Sequence, residues 1–151
     1  MKAKGIFIHG NTPSSKNSKM MVFRGREEED KKPILLSSKT VTKYIKVSKL
    51  DWLEQKAPFK YLSKGASLPL VVGFHFVRGS RHRYDWINMV QIVQDLMVEY
   101  GWIEDDNVDF LIPLPFKMKG SYSSYDKEQP GVWIVPITQT VLNELNGNLD
   151  N

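Results

Sequence analysis

The chain has 151 residues, 41% of them hydrophobic and 25% charged, a composition suited to one globular domain that buries its own core without covalent or metal staples. It has no cysteine, which excludes a disulfide framework, thiolate metal sites and any cysteine nucleophile. A net charge of +4 with pI near 9.2 modestly favours a polyanionic partner, and no apolar run approaches the ~20 residues that cross a bilayer, so no membrane association is expected.

At the N-terminus, "KGIFIHGN" alternates apolar and polar residues before Gly10 and Asn11, predicting a first strand. These opening residues turn polar too soon for a secretory signal, which suits a cytoplasmic protein. After a loop, "TPSSKNSKM", the segments "MMVFRG" and "PILLS" predict two short strands, with "REEEDKK" between them as an exposed hairpin tip. From Ser38, "SKTVTKYIKVSKLDWLEQKA" predicts a helix with Val41, Tyr44, Ile45, Leu50 and Leu53 at its inward intervals, ended by Pro58. "KYLSKGASLP" links it to "LPLVVGFHFV", a strand rich in Val and Phe. The loop "RGSRHRY" leads into a helix over 86–100, whose buried stripe is Trp86, Met89, Val90, Val93, Met97 and Tyr100. Gly101 suits the left-handed position just past a helix end. "NVDFLIPLPFKM" predicts a strand held near a sheet edge by Pro113 and Pro115. "GVWIVPI" predicts a last strand, and "TQTVLNELN" a short closing helix over 138–146 capped by Thr138. This order predicts a single α+β domain over 1–151 with a mixed sheet and a core over about 5–137.

The acidic residues around the second helix have two readings. Asp85 stands where an N-cap belongs, and Asp105, Asp106 and Asn107 have ordinary turn chemistry. Alternatively they form one site split across the helix. A helix over 86–100 is about 22 Å long, and the residues from Gly101 to Asp106 span up to about 17 Å. A chain reversing at Gly101 can therefore bring Asp106 back toward Asp85. A hard cation such as Mg2+ is held by one or two carboxylates together with water and substrate phosphates. Two converging aspartates beside a basic loop would suit metal-assisted phosphodiester cleavage. That loop holds Arg78, Arg81, His82 and Arg83, and guanidinium forks pair with phosphate oxygens bidentately. Lys16, Lys19, Arg24 and Arg26 either extend this surface or form a solvated face. Other chemistries fit less well: His9, His75 and His82 lack metal-ligand spacing, His75 reads as a satisfied sheet histidine, and no P-loop, dinucleotide fingerprint or nucleophile elbow occurs.

The motif order resembles that of RusA-type crossover junction endodeoxyribonucleases of phages and prophages. The family's N-terminal strand and Pro-Ser-Asn segment correspond to "FIHGNTPSSKN". Its central signature has a strand, an Arg-rich loop, Asp-x-Asp-Asn opening a helix with a lysine three residues on, and an Asp-Asp pair after the helix. It corresponds to "LPLVVGFHFVRGSRHRYDWINMVQIVQDLMVEYGWIEDDNVDF". The resemblance covers most of 5–137 and is strongest over 69–110. It implies a RusA-like fold and a homodimer that resolves four-way (Holliday) DNA junctions by Mg2+-dependent hydrolysis in recombination and repair, with Mn2+ as a substitute. Residue by residue it implies Asp85 and Asp106 as metal ligands, Asp105 as an acidic neighbour and Asn88 as the signature asparagine. Arg78, Arg81 and Arg83, with Lys16 and Lys19, would contact DNA. Ile87 and Gln91 depart from the pattern, standing where the family has its second aspartate and its lysine. Asp95, Glu104 and Asp105 are the carboxylates able to replace the lost acid, and Gln91 could orient a water or phosphate oxygen. A catalytically weakened branched-DNA binder, or an interaction protein whose acids are only caps and turns, are the alternative readings.

Overall fold

The computed structural model describes residues 4–14, 19–24, 32–37 and 39–137, with the backbone alone for 19–24 and 32–37. Lys16, the predicted hairpin tip and the predicted helix over 138–146 lie outside the described residues, as does the side chain of Lys19. In chain order the elements are β1 (Ile6–His9), β2 (Lys19–Arg24), β3 (Lys32–Ser37), α1 (Lys39–Glu54), α2 (Lys56–Leu62), β4 (Leu70–Arg78), α3 (Trp86–Glu99), β5 (Leu111–Pro115), β6 (Ser123–Tyr125) and β7 (Gly131–Pro136). The result is a small α+β domain built on a mixed five-stranded sheet, as the sequence predicts.

Within that sheet β4 is central. β7 lies antiparallel between β1 and β4, while β5 and β6 both run parallel to β4 along its other edge. β2 and β3 form a separate antiparallel pair. A parallel pair needs a long crossover, and α3 is the helix of the β4–β5 connection. Val72 to Phe76 of β4 are buried without alternation, which is the pattern of a strand covered on both faces and explains its unbroken apolar sequence. Pro113 and Pro115 pair with Val72 and Phe74 on the edge strand β5, where a missing N–H costs no interior ladder bond.

Three expectations need correction. Pro58 does not end the helical region: it sits in the first turn of α2, where backbone N–H groups have no intrahelical acceptor. The inward line of α1 is Val41, Tyr44, Ser48 and Trp52, whereas Leu50 and Leu53 are 63% and 56% exposed. Ser48 holds its place on that line because its hydroxyl donates to the Tyr44 carbonyl at 2.7 Å and accepts from Trp52 Nε1 at 3.0 Å. Finally, β6 forms in a stretch with no predicted element, through pairing of Phe76, Val77 and Arg78 with residues 123–125.

An aromatic cluster joins the helices. Trp102 lies 5.0 Å, centroid to centroid, from both Trp52 and Phe59, and its indole N–H donates to the Trp52 carbonyl at 2.9 Å. All three rings are essentially inaccessible, and burying each contributes on the order of 3 kcal/mol. Trp102 is delivered there by the end of α3. Gly101 (φ 74) follows the C-cap Tyr100, its N–H donates to Val98 O, and Trp102 N–H donates to Met97 O. This is the glycine-terminated reversal predicted from the sequence, and it turns the chain back beside the helix. No helix among the described residues is long and apolar enough to cross a membrane.

Candidate nucleic-acid and metal site

The basic loop begins at the last residue of β4. Asn11, just past β1, accepts from the Gly79 N–H at 2.9 Å, so the N-terminal Gly-Asn pair anchors the start of the loop. Arg78 lies over the Tyr84 ring, 4.4 Å from its centroid. Its Nε is buried with no hydrogen-bond partner, and burial draws its pKa below the usual guanidinium value. Arg81 lies over Tyr125 of β6 at 4.3 Å. These two arginines, with His82 and Arg83, form one wall of an open recess of about 570 Å³, and Ser123, Ser124 and Tyr125 form another. Among the described residues the ion pair is His9–Asp51, at 2.7 Å, and no carboxylate pairs with the arginines of the recess. Two guanidiniums are thus held in place by aromatic rings, with charge left for an anionic ligand.

Asp85 caps α3, its carboxylate accepting from the Ile87 N–H at 3.1 Å. The structural role that the sequence allowed for this residue is therefore realised. Beyond the cap most of α3 is covered, and its exposed side is one ridge at four-residue spacing: Ile87, Gln91, Asp95 and Glu99. Side chains so spaced stack along a single face, and Gln91 Nε2 donates to Asp95 Oδ1 at 3.1 Å. Both positions that depart from the junction-nuclease pattern are on this ridge, where Ile87 is 68% exposed.

After the reversal at Gly101 the acidic turn returns beside α3. Asp105 accepts from the Asp106 N–H at 2.7 Å and from Asn107 Nδ2 at 2.9 Å, so both its oxygens serve the turn. Asp106 is partly buried. Its pKa is raised by desolvation first, then by the charge of Asp95 and by Asp105. The carboxylates that act on Asp106 are therefore Asp95 and Asp105. Asp95 lies ten residues beyond Asp85, about 15 Å of helix rise. Gln91, Asp95, Asp105 and Asp106 form one neighbourhood, and Asp85 with Arg78, Arg81 and Arg83 occupies the other end of α3. Among the described residues no group of three or more His, Asp or Glu is arranged to hold a metal ion. Mg2+ requires only one or two carboxylates. Asp106, with Asp95 in its field, offers hard oxygen donors of the kind such an ion takes.

Sequence reasoning missed β6. His75, buried on β4, is satisfied as predicted: its Nδ1 is 2.8 Å from Phe116 O and its Nε2 2.7 Å from Ser124 Oγ. A carbonyl oxygen only accepts, so Nδ1 carries the proton, and in the neutral ring Nε2 accepts from the Ser124 hydroxyl. The only signal for β6 was the pair of tyrosines in "SYSSY", which lacks the apolar alternation of a strand. Comparison of the chain with protein-family models and with curated proteins gives no match in either case.

Proposed function

We propose that the protein is a Mg2+-dependent endodeoxyribonuclease that cuts branched DNA as a homodimer, in the manner of the RusA-type enzymes its motif order resembles, inside a bacterial cell. The observation that carries the reading is the layout of α3. A recess lined by arginines that have no carboxylate partner among the described residues stands at its N-terminal end. At the other end Asp106, in the turn after the helix, lies in the field of Asp95 on its one exposed ridge. A DNA strand held by Arg78, Arg81 and Arg83 through its phosphates and laid along the ridge passes Gln91 on its way to the acids. Gln91 gives its amide N–H to Asp95, which leaves its amide oxygen to accept from a water and orient it toward phosphorus. Asp106 and Asp95 would hold Mg2+, whose charge counters that developing on the phosphate. Asp85, the further carboxylate that the resemblance implies, stands at the other end of α3, too far from Asp95 to share one ion with it. A four-way junction presents two strands related by a two-fold axis, which a symmetric dimer matches. The apolar face that α1 leaves exposed, Val47, Leu50 and Leu53, supports self-association.

A second reading, a branched-DNA binder that does not cut, is favoured by one observation: exposed Ile87 occupies the place of an acid. Incubation of a labelled synthetic four-way junction with Mg2+, Mn2+ or EDTA distinguishes the two. Paired nicks that need metal and disappear in Asp106→Asn are expected. Tight junction binding without nicks establishes the binder, and neither binding nor nicks rejects the DNA reading.

A further inference from the structure

The recess beside the arginine loop has a second wall that phosphate binding alone does not use. Its two sides differ in chemistry. On the loop side stand guanidiniums, which only donate hydrogen bonds. On the β6 side, Ser124 Oγ lies 2.7 Å from His75 Nε2. In the neutral tautomer, with the Nδ1 proton on Phe116 O, the ring takes the Ser124 proton and the hydroxyl oxygen turns lone pairs toward a ligand. Next to it is Tyr125, 42% exposed, with Arg81 over its ring. A bare inorganic anion would meet donors on one side and an acceptor and an aromatic ring on the other. A nucleotide matches both sides, having an anionic phosphate at one end and a flat base with N–H donors at the other.

A base paired within a duplex cannot reach such a recess, because its faces are stacked and its donors are paired. An unpaired one can: its faces stack on aromatic rings or on guanidinium planes, and its edge is free for hydrogen bonds. We propose that the recess between the arginine loop and β6 holds one unpaired nucleotide of the DNA, its phosphate on Arg78 and Arg81 and its base on the Arg81–Tyr125 pair within reach of Ser124 Oγ. This rests on the branched-DNA reading and sharpens it: the site takes the single-stranded part of the substrate, the nucleotide at or beside a branch point.

The test is fluorescence anisotropy of the full chain with a short labelled oligothymidylate, a blunt duplex of equal length and a four-way junction. Wild type is expected to bind the oligothymidylate more tightly than the blunt duplex. Tyr125→Leu should weaken oligothymidylate binding by about tenfold or more, the scale of one lost base–aromatic stack, and Arg81→Gln should weaken it as well. Tyr122→Leu should leave it unchanged, since that tyrosine is exposed beside Lys117 and does not line the recess. Melting curves of the variants confirm that they fold. If wild type binds the junction but not the oligothymidylate, the nucleotide site is wrong while the branched-DNA reading stands. If Tyr125→Leu and Arg81→Gln bind the oligothymidylate as wild type does, the site is wrong in place. If no DNA binds, both readings fall.

Discussion

Asp85 has two assignments that different substitutions separate. As the cap of α3 it accepts from the Ile87 N–H at 3.1 Å, and replacing such a cap by alanine costs about 1 kcal/mol. Unfolding entropy is about 2.1 cal/mol/K per residue, so over 151 residues this loss lowers Tm by about 3 °C. Serine caps helices about as well as aspartate. In moderate salt, which screens the interaction of a carboxylate with the helix dipole, Asp85→Ser should melt close to wild type. Neither variant retains a carboxylate for a cation. Differential scanning calorimetry should therefore order the proteins wild type, Asp85→Ser, then Asp85→Ala, whereas on the metal-ligand assignment that the resemblance implies, junction cleavage is lost in both variants alike. Cleavage that follows Tm, with Asp85→Ser active, would refute the catalytic assignment and leave Asp85 as a cap alone. Equal Tm losses in both variants would refute the capping argument.

Asp106 provides a pH test. Burial and the Asp95 charge raise its folded pKa above the ordinary value of 3.8, so its contribution to stability is present below pH 3.8 and is lost as pH rises through the folded pKa. Asp106→Asn should therefore melt above wild type at pH 7 and converge with it below pH 3.8, and added Mg2+ should raise the Tm of wild type only. A variant that melts lower at pH 7 contradicts the repulsion. Trp102→Ala removes a ring buried against Trp52 and Phe59 and should cost about 3–5 kcal/mol, read as a lower urea midpoint at unchanged slope. Trp102→Phe keeps most of the ring but leaves the Trp52 carbonyl unpaired, and should cost about 1–3 kcal/mol.

β4 and α3 were legible because their signals are local. The Val- and Phe-rich run of β4, the aspartate before Trp86 and the glycine after Tyr100 each act within a turn or two of chain. The inward line of α1 was misread because Ser48, a polar residue, occupies a core position through bonds to Tyr44 and Trp52 that only the folded helix provides. β6 has no local apolar signal at all. It exists through the free edge of β4 and the His75–Ser124 bond, across 49 residues of sequence. For the candidate site, the sequence singled out Asp85, Asp105 and Asp106 but not which carboxylates would neighbour one another. Where Asp106 comes to rest depends on the seating of Trp102 after the reversal, and this sets it in the field of Asp95.

The edge of β4 away from β7 is shared by two short strands instead of one long one. β5 covers Leu70 to Phe74 and β6 covers Phe76 to Arg78, with the chain leaving and returning at the level of His75. The outer rim of the sheet on this side is therefore stepped, and Pro113 and Pro115 remove two N–H groups from it. Such a rim offers no continuous row of donors and acceptors for a strand from another molecule. A strand of another copy therefore finds poor pairing along this rim, which guards this side of the sheet against edge-to-edge association. The step also lets residues 117–122 lengthen or shorten as a peripheral excursion without moving the register of either strand on β4.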